Sequence, residues 1–320
     1  MKKKLVLLLI IAAVCFSCEQ MPERIPAISD SVAPYSFSPE LEGRLEGQIV
    51  VVGSDTMSNI ITLLSAGFSA IHADVSWQTD FSGSELAPVA LLSGQADLAS
   101  MSRPLSDSEI AMIRQTYGAE PVEVVLARDA IVVMVNPSNP LSKITLSELA
   151  RIYRPVRDKN DRLWNSYGVV GYLADKQIDV TGRTEDSGTN HVFSRLVLET
   201  GGITAGNYRG LAGSSALVEY IASNPSSIGY AGAGFVTTGV KVLALADDLT
   251  ASSGDFFLPD AKHVLNGDYP LARSLYLYAV PNSSGKLKAE VEAFLSYALS
   301  RQGQQIILED GLYPPGAELE

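Results

Sequence analysis

The chain has 320 residues, 46% of them hydrophobic and 19% charged, with a formal net charge of −12. These proportions describe an ordinary globular protein of one or two domains. So acidic a chain argues against nucleic acid as a partner, because phosphate backbones are held by clustered Lys and Arg. A small buried anion is not excluded, since it responds to local donors and dipoles more than to a distant, salt-screened surface field.

Lys2, Lys3 and Lys4 precede the apolar run 5–14, which is followed by Cys15-Phe16-Ser17-Cys18. The run is shorter than the roughly 20 apolar residues a spanning helix needs and has the form of a signal peptide over 1–17. Cys18 follows a small residue, as in bacterial lipoprotein signals whose Cys becomes the lipidated first residue. Cys15, standing where such signals carry Leu, departs from that pattern. Lipidation at Cys18 is the expectation, and cleavage to a soluble secreted protein is the alternative. Beyond Cys18 the chain has no cysteine, which excludes disulfides and Cys-based zinc sites from the folded part. Residues 18–46 read as lipid anchor and tether: Pro22, Pro26, Pro34 and Pro39 alternate with Ser and Glu without an apolar period, and such chain extends about 3 Å per residue. The alternative is a tail packed on the domain through Tyr35 and Phe37.

From Gln48 the pattern changes. "QIVVVG" is a short buried-strand run, and 57–71 carries apolar residues at helical spacing. "VSWQTD" alternates as a strand. A helix over 85–93, a strand over 96–100 and a helix over 106–117 follow, then the long β-rich stretch "VEVVLARDAIVVMVN". "TLSELARIYR" is helical, with Thr145 and Glu148 spaced as a capping box. "IDVTGR" is a strand, with a helix from about Thr189 and another around 215–223. Short strands at "SIGYAG" and "VKVLAL" precede the late strand "SLYLYAV" and two terminal helices over 286–300 and 302–310. Strand alternating with helix indicates an α/β fold with a largely parallel sheet.

Three segments share one design of strand, small polar loop and helix: "VVVGSDTMSN", "TDFSGSELAP" and "VTGRTEDSGTN". In a parallel α/β sheet these loops lie at the carboxyl edge of the strands, where ligands bind. Free N–H groups at a helix start, together with hydroxyls and close-approaching glycine backbone, make an anion site. Taken singly, each loop is equally a well-capped helix. Arg183 adds a fork of donors suited to an oxyanion; the bland alternative is a surface ion pair with Glu185 or Asp186.

The segment "GRTEDSGTNHVF" resembles the Arg/Ser-Gly-Thr segment of the phosphate-binding proteins of bacterial phosphate ABC transporters, the PstS-type family. "GSDTM" resembles that family's first anion loop, and "SGSELAPVALLSGQADLASMSRPLS" its second loop, helix and strand. "SSIGYAGAGF" and "YPLARSLYLYAV" resemble later segments, so the likeness spans roughly 48–312. It implies a two-lobed, Venus-flytrap periplasmic-binding-protein fold of type II-like form. Each lobe would hold a mostly parallel sheet flanked by helices. Two hinge crossovers, near 130–136 and 260–275, would join lobe one (47–132 and 268–320) to lobe two (133–267). It further implies a monomeric, non-enzymatic binder without cofactor or metal. Such a protein takes inorganic phosphate in the cleft, closes on it and hands it to an ABC permease, from the periplasm or outer cell surface. Carried over by motif, the phosphate site comprises Ser54, Asp55, Thr56, Met57 (through its N–H), Ser84, Ser102, Arg103, Arg183, Ser187, Gly188 (through its N–H) and Thr189. The better-known branch has an Asp where this chain has Ser102. That carboxylate accepts from a protonated phosphate oxygen and repels sulfate. Here Asp55 is the candidate acceptor, and sulfate or another tetrahedral oxyanion stays open as ligand, as does a sensing or adhesion role without transport. Arg103 either adds charge to the site or pairs with Asp107.

Other chemistries fit less well. Asp186-Ser187-Gly188-Thr189 resembles an aspartic-protease loop, but that chemistry needs two such carboxylates and no second copy is present. His72, His191 and His263 lie in no hydrolase or metal-ligand pattern, and His191 reads as a helix-surface or packed residue. Trp77 and Trp164 read as packing residues, and Tyr276 with Tyr278 as one face of a strand.

Overall fold

The computed structural model describes residues 44–155, 162–199, 202–203, 205–248, 251, 254–282 and 284–315. The expected signal peptide, Cys18, Tyr35, Phe37 and all of the tether but residues 44–46 lie outside them. Leu45, near the tether's end, is buried in the core. No helix among the described residues is long and apolar enough to cross a membrane.

Eleven strands are described: β1 Gly47–Gly53, β2 Val75–Asp80, β3 Leu98–Met101, β4 Val122–Val135, β5 Lys143–Thr145, β6 Asp179–Arg183, β7 Arg209–Leu211, β8 Ser227–Gly232, β9 Lys241–Val242, β10 Ala244–Ala246 and β11 Ala272–Ala279. The α-helices that matter below are α1 Ser58–Ser69, α2 Ala87–Leu92, α3 Asp107–Tyr117, α4 Leu146–Tyr153, α5 Gly188–Phe193, α6 Ser214–Ser223, α7 Ala261–Asn266, α8 Ala289–Ala298 and α9 Arg301–Glu309. The spacing of Ile60, Ile61, Leu64 and Phe68 buries one face of α1, as a period of 3.6 requires. The capping box expected at Thr145 and Glu148 opens α4, each side chain bonding the other's backbone N–H.

The main sheet runs β2-β1-β3-β11-β4-β8-β6-β7, with β9 on β4 and a separate β10-β5 pair. The outer pairs are parallel: β1 with β2 and β3, and β6 with β7 and β8. Antiparallel pairing enters where the chain crosses the middle, β11 with β3 and β4, and β4 with β8. One strand serves both halves. β4 pairs with β11 through 122–130 and with β8 through 131–135, and its last seven residues are buried, as a strand covered on both faces demands.

The core divides accordingly. One cluster gathers Ile49, Val51, Ile60, Phe68, Leu275 and Phe294, with a smaller one under α2 and α3. The other begins at Ala130 and gathers Val132, Tyr153, Trp164, Phe193, Ile221 and Tyr230. Both tryptophans pack. Trp164 is fully buried with its indole N–H on the Ser226 carbonyl at 3.2 Å. Trp77 is half-buried, bonds the Ser69 hydroxyl at 2.9 Å and stands edge-on to Phe294. Tyr276 and Tyr278 stack with centroids 5.8 Å apart.

Candidate functional site

The three polar loops converge between the two halves. Thr56, one turn before α1, brings its Oγ1 within 2.9 Å of Thr189 Oγ1, and both groups are buried. Ser84 follows Gly83, whose φ of 149° is one that L side chains rarely adopt; a methyl there would also stand 2.6 Å from the Asp186 carbonyl of the opposite loop. Glycine thus lets the two loops touch. Ser84 Oγ lies 3.3 Å from Ser102 Oγ and accepts from Ser102 N–H at 3.2 Å. Gly188 closes against this pair, since a methyl on it would stand 2.4 Å from each hydroxyl oxygen. Gly188 is the first residue of α5, so its N–H has no partner within the helix. Ser187 caps α5 by accepting from Thr189 N–H at 3.2 Å. Thr56, Ser84, Ser102, Ser187, Gly188 and Thr189 are therefore brought together. Ser54 is buried and its N–H donates to the Ser100 carbonyl at 2.8 Å. Met57 is core, and the N–H expected to face an anion donates to the Ser54 carbonyl at 3.0 Å.

The arginines divide differently from the sequence expectation. Arg103 does not face the cluster, nor does it pair with Asp107. Its guanidinium is buried and all five N–H groups are taken: by both oxygens of Glu85 at 2.7 and 2.8 Å, both oxygens of Glu109 at 2.8 and 2.9 Å, and the Pro104 carbonyl. The reason is local. Glu109 arrives as the acid of the capping box of α3, while Glu85 adjoins Ser84 in the second loop, so two carboxylates flank the residue after β3. Burial opposes charge on both partners. The bonds from Glu109 and Glu85 nonetheless hold Arg103 further above its usual range, and those from Arg103 and Ser106 hold Glu109 below its own. The cluster ties Ser84 to Ser102.

Arg183 makes no surface pair with Glu185 or Asp186. It is 2% exposed and donates to the Leu211 and Ala212 carbonyls and to Ser214 Oγ at 2.6 Å. Its ion partner is Asp55 across the cleft, at 3.0 Å from Nη1. Burial lowers the pKa of this guanidinium, which Asp55 partly offsets.

The guanidinium that faces the paired threonines is Arg273 of β11. Its Nη1 lies 2.9 Å from Thr189 Oγ1 and its Nη2 3.5 Å from Thr56 Oγ1. Behind it Asp129 of β4 accepts from Nε and Nη2 on one oxygen at 2.9 and 2.7 Å, and from Ala233 N–H on the other at 3.3 Å. Arg273 and Asp129 are direct cross-strand partners, a placement in which opposite charges attract. Gly232 makes room for them: a methyl there would lie 3.3 Å from both Arg273 Nη2 and Asp129 Oδ2. Both residues escaped the sequence reading. The signal was a lone Arg and an adjacent Arg128-Asp129 pair, each next to an apolar strand run. A crevice of about 400 Å³ opens beside the cluster, with Thr56, Asn59, Phe81, Asp129, Phe235 and Asp310 in its wall. Burial raises the Asp310 carboxyl above its usual range. His191 sits exposed on α5. No group of metal-ligating side chains occurs among the described residues.

A family model described as a PBP superfamily domain matches residues 38–302. A protein of Pseudomonas aeruginosa named phosphate-binding protein PstS is 32% identical over 300 residues, covering 92% of this chain and 90% of that one. Protein SphX of Synechococcus elongatus is 30% identical over 254 residues, 79% of this chain and 73% of the other. Among solved structures, a phosphate ABC transporter substrate-binding protein from Clostridium perfringens with bound phosphate superposes with a TM-score of 0.71 at 21% identity, covering 84% of this chain and 99% of that one. A phosphate transport receptor from Vibrio cholerae gives 0.64 at 23% identity, with 83% and 100% covered. At such identities these two establish the two-lobed fold.

Proposed function

The chain belongs to the PBP superfamily domain family, alongside phosphate-binding proteins of the PstS type, and from that premise we propose that it is a non-enzymatic, extracytoplasmic solute-binding protein for inorganic phosphate. It takes the anion between two lobes and delivers it to an ABC permease. Lobe one is assigned to 47–132 and 268–320 and lobe two to 133–267. Core membership changes at Ala130 and again beyond Leu271, within a few residues of these bounds.

One observation carries the ligand assignment. The hydroxyls of Thr56 and Thr189, from two loops on two separately cored halves, meet one buried guanidinium whose far edge is held by a carboxylate. In this reading Thr56, Ser84, Ser102 and Thr189 supply hydroxyls, Gly188 its N–H, and Ser187 the cap that fixes it. Arg273 supplies the facing charge. The Thr56–Thr189 contact is the closed state, whose two hydroxyls the anion would engage. Within each lobe the donors are held by their own loops, which lowers the reorganisation cost of binding. Ser54 and Met57 act by shaping the first loop, and Arg103 by tying Ser84 to Ser102. Lipid attachment at Cys18 and work as a monomer beside the permease complete the proposal.

The test is calorimetric titration of the phosphate-stripped protein with phosphate and then sulfate, for wild type and Arg273→Ala. Micromolar or tighter phosphate binding that falls at least a hundredfold in the variant is expected. Absence of phosphate binding in the wild type would return the function to another ligand, and unchanged affinity in Arg273→Ala would remove that residue from the site.

A further inference from the structure

Asp55 reaches across to the opposite half of the molecule, to Ser214 and Arg183. It opens the 3₁₀ turn after β1, on the half whose core holds Ile49, Val51 and Met57. One carboxylate oxygen, Oδ2, accepts two hydrogen bonds from the other half, Ser214 N–H at 3.1 Å and Ser214 Oγ at 2.9 Å, and forms an ion pair with Arg183 Nη1 at 3.0 Å. Ser214 begins α6, ten residues long, whose Leu217, Val218 and Ile221 belong to the second core. Arg183 Nη1 also donates to Ser214 Oγ at 2.6 Å, so the three side chains close a triangle. No side chain of α6's own flank caps that helix; a carboxylate from across the cleft takes the place.

Arg183 itself stays available. It spends Nε on Leu211, Nη2 on Ala212 and Nη1 on Ser214, and its charge is paired with Asp55. Five N–H groups are available to a guanidinium, so two are left for an anion. Arg273 turns a second edge toward Thr56 and Thr189. We infer that Asp55 is a positioning residue, an interlobe tie that seats Arg183 and α6 in the closed state. The inference rests on the phosphate-binding reading above. It departs from the motif-based expectation that Asp55 contacts the anion directly as an acceptor.

The tie predicts coupled behaviour. Asp55→Ala and Ser214→Ala should each weaken phosphate binding about tenfold or more, and the double variant should be little weaker than either single one, because each change breaks the same triangle. The weakening should appear as faster phosphate release with an almost unchanged association rate, since the tie forms only on closure. Small-angle scattering of the phosphate-loaded variants should show a larger radius of gyration than the loaded wild type. Asp55→Asn, which keeps shape and one acceptor, should fall between wild type and alanine and guards against misfolding of the alanine variant. Multiplying losses in the double variant would overturn the tie, as would a Ser214→Ala protein with wild-type release. Tighter binding in Asp55→Ala would also overturn it, by making Asp55 a competitor of the ligand. A lowered urea midpoint with unaltered release would reduce the triangle to a purely structural contact. A wild type that binds no phosphate would instead sink the functional reading, which keeps the two failures apart.

Discussion

Replacing Asp129 with Ala should unfold the protein more readily in the absence of phosphate than in its presence, by a margin the geometry sets. Asp129 and Arg273 have side chains 0% and 3% exposed. Asp129 takes two bonds from Arg273, at 2.9 and 2.7 Å, and one from Ala233 N–H. Truncation strands a buried guanidinium, and breaking one side of a buried pair costs about 3–5 kcal/mol. The stranded Ala233 N–H adds to the loss. For a domain of this size each kcal/mol lowers the midpoint by roughly 2–4 °C, so a drop of about 6–20 °C is expected. Phosphate changes the balance, because an anion against the free guanidinium edge restores a counter-charge. At a hundredfold excess over Kd a ligand stabilises by about 2.7 kcal/mol; in Asp129→Ala the gain per decade of phosphate should begin at lower concentration than in wild type. Thermal and urea melts across a phosphate series would read both effects. A loss under about 1 kcal/mol without phosphate, or identical phosphate responses in the two proteins, would refute the view of Asp129 as the counter-charge that lets Arg273 be buried facing the ligand.

Gly188→Ala places a methyl 2.4 Å from the Ser84 and Ser102 hydroxyls, so phosphate affinity should fall at least a hundredfold by calorimetry while circular dichroism stays native. Glu109→Gln should lower the urea midpoint at pH 7. Glu109 is held below its usual carboxylate range against the opposing effect of burial, so its contribution is present above the unfolded-state pKa of about 4.3 and is lost as pH falls through the lower folded value. The gap between wild type and variant should therefore close below about pH 4, and a gap constant from pH 7 to 3 would contradict this. Arg103→Met should leave the fold standing but weaken phosphate binding through Ser84 and Ser102, with both phosphate and sulfate affected alike.

What the sequence determined by itself was the local order of the chain. Apolar period, capping residues and turn glycines placed the strands and helices, because those features act over a few residues: Ile60 to Phe68 bury one face of α1, and Thr145 with Glu148 start α4. The same local signals marked the three loops whose hydroxyls meet. They did not fix what each arginine would do. Arg183 and Arg103 lie beside small donors in sequence, yet their guanidiniums meet Asp55, Ser214, Glu85 and Glu109, the first two brought in from distant segments and the others by a helix cap and a neighbouring loop. Arg273, 144 residues from Asp129, becomes the facing charge only because β11 lies antiparallel to β4 in one register. A buried charge needs its partner within hydrogen-bond reach, and strand register and lobe closure, which tertiary structure alone sets, decide which partner that is.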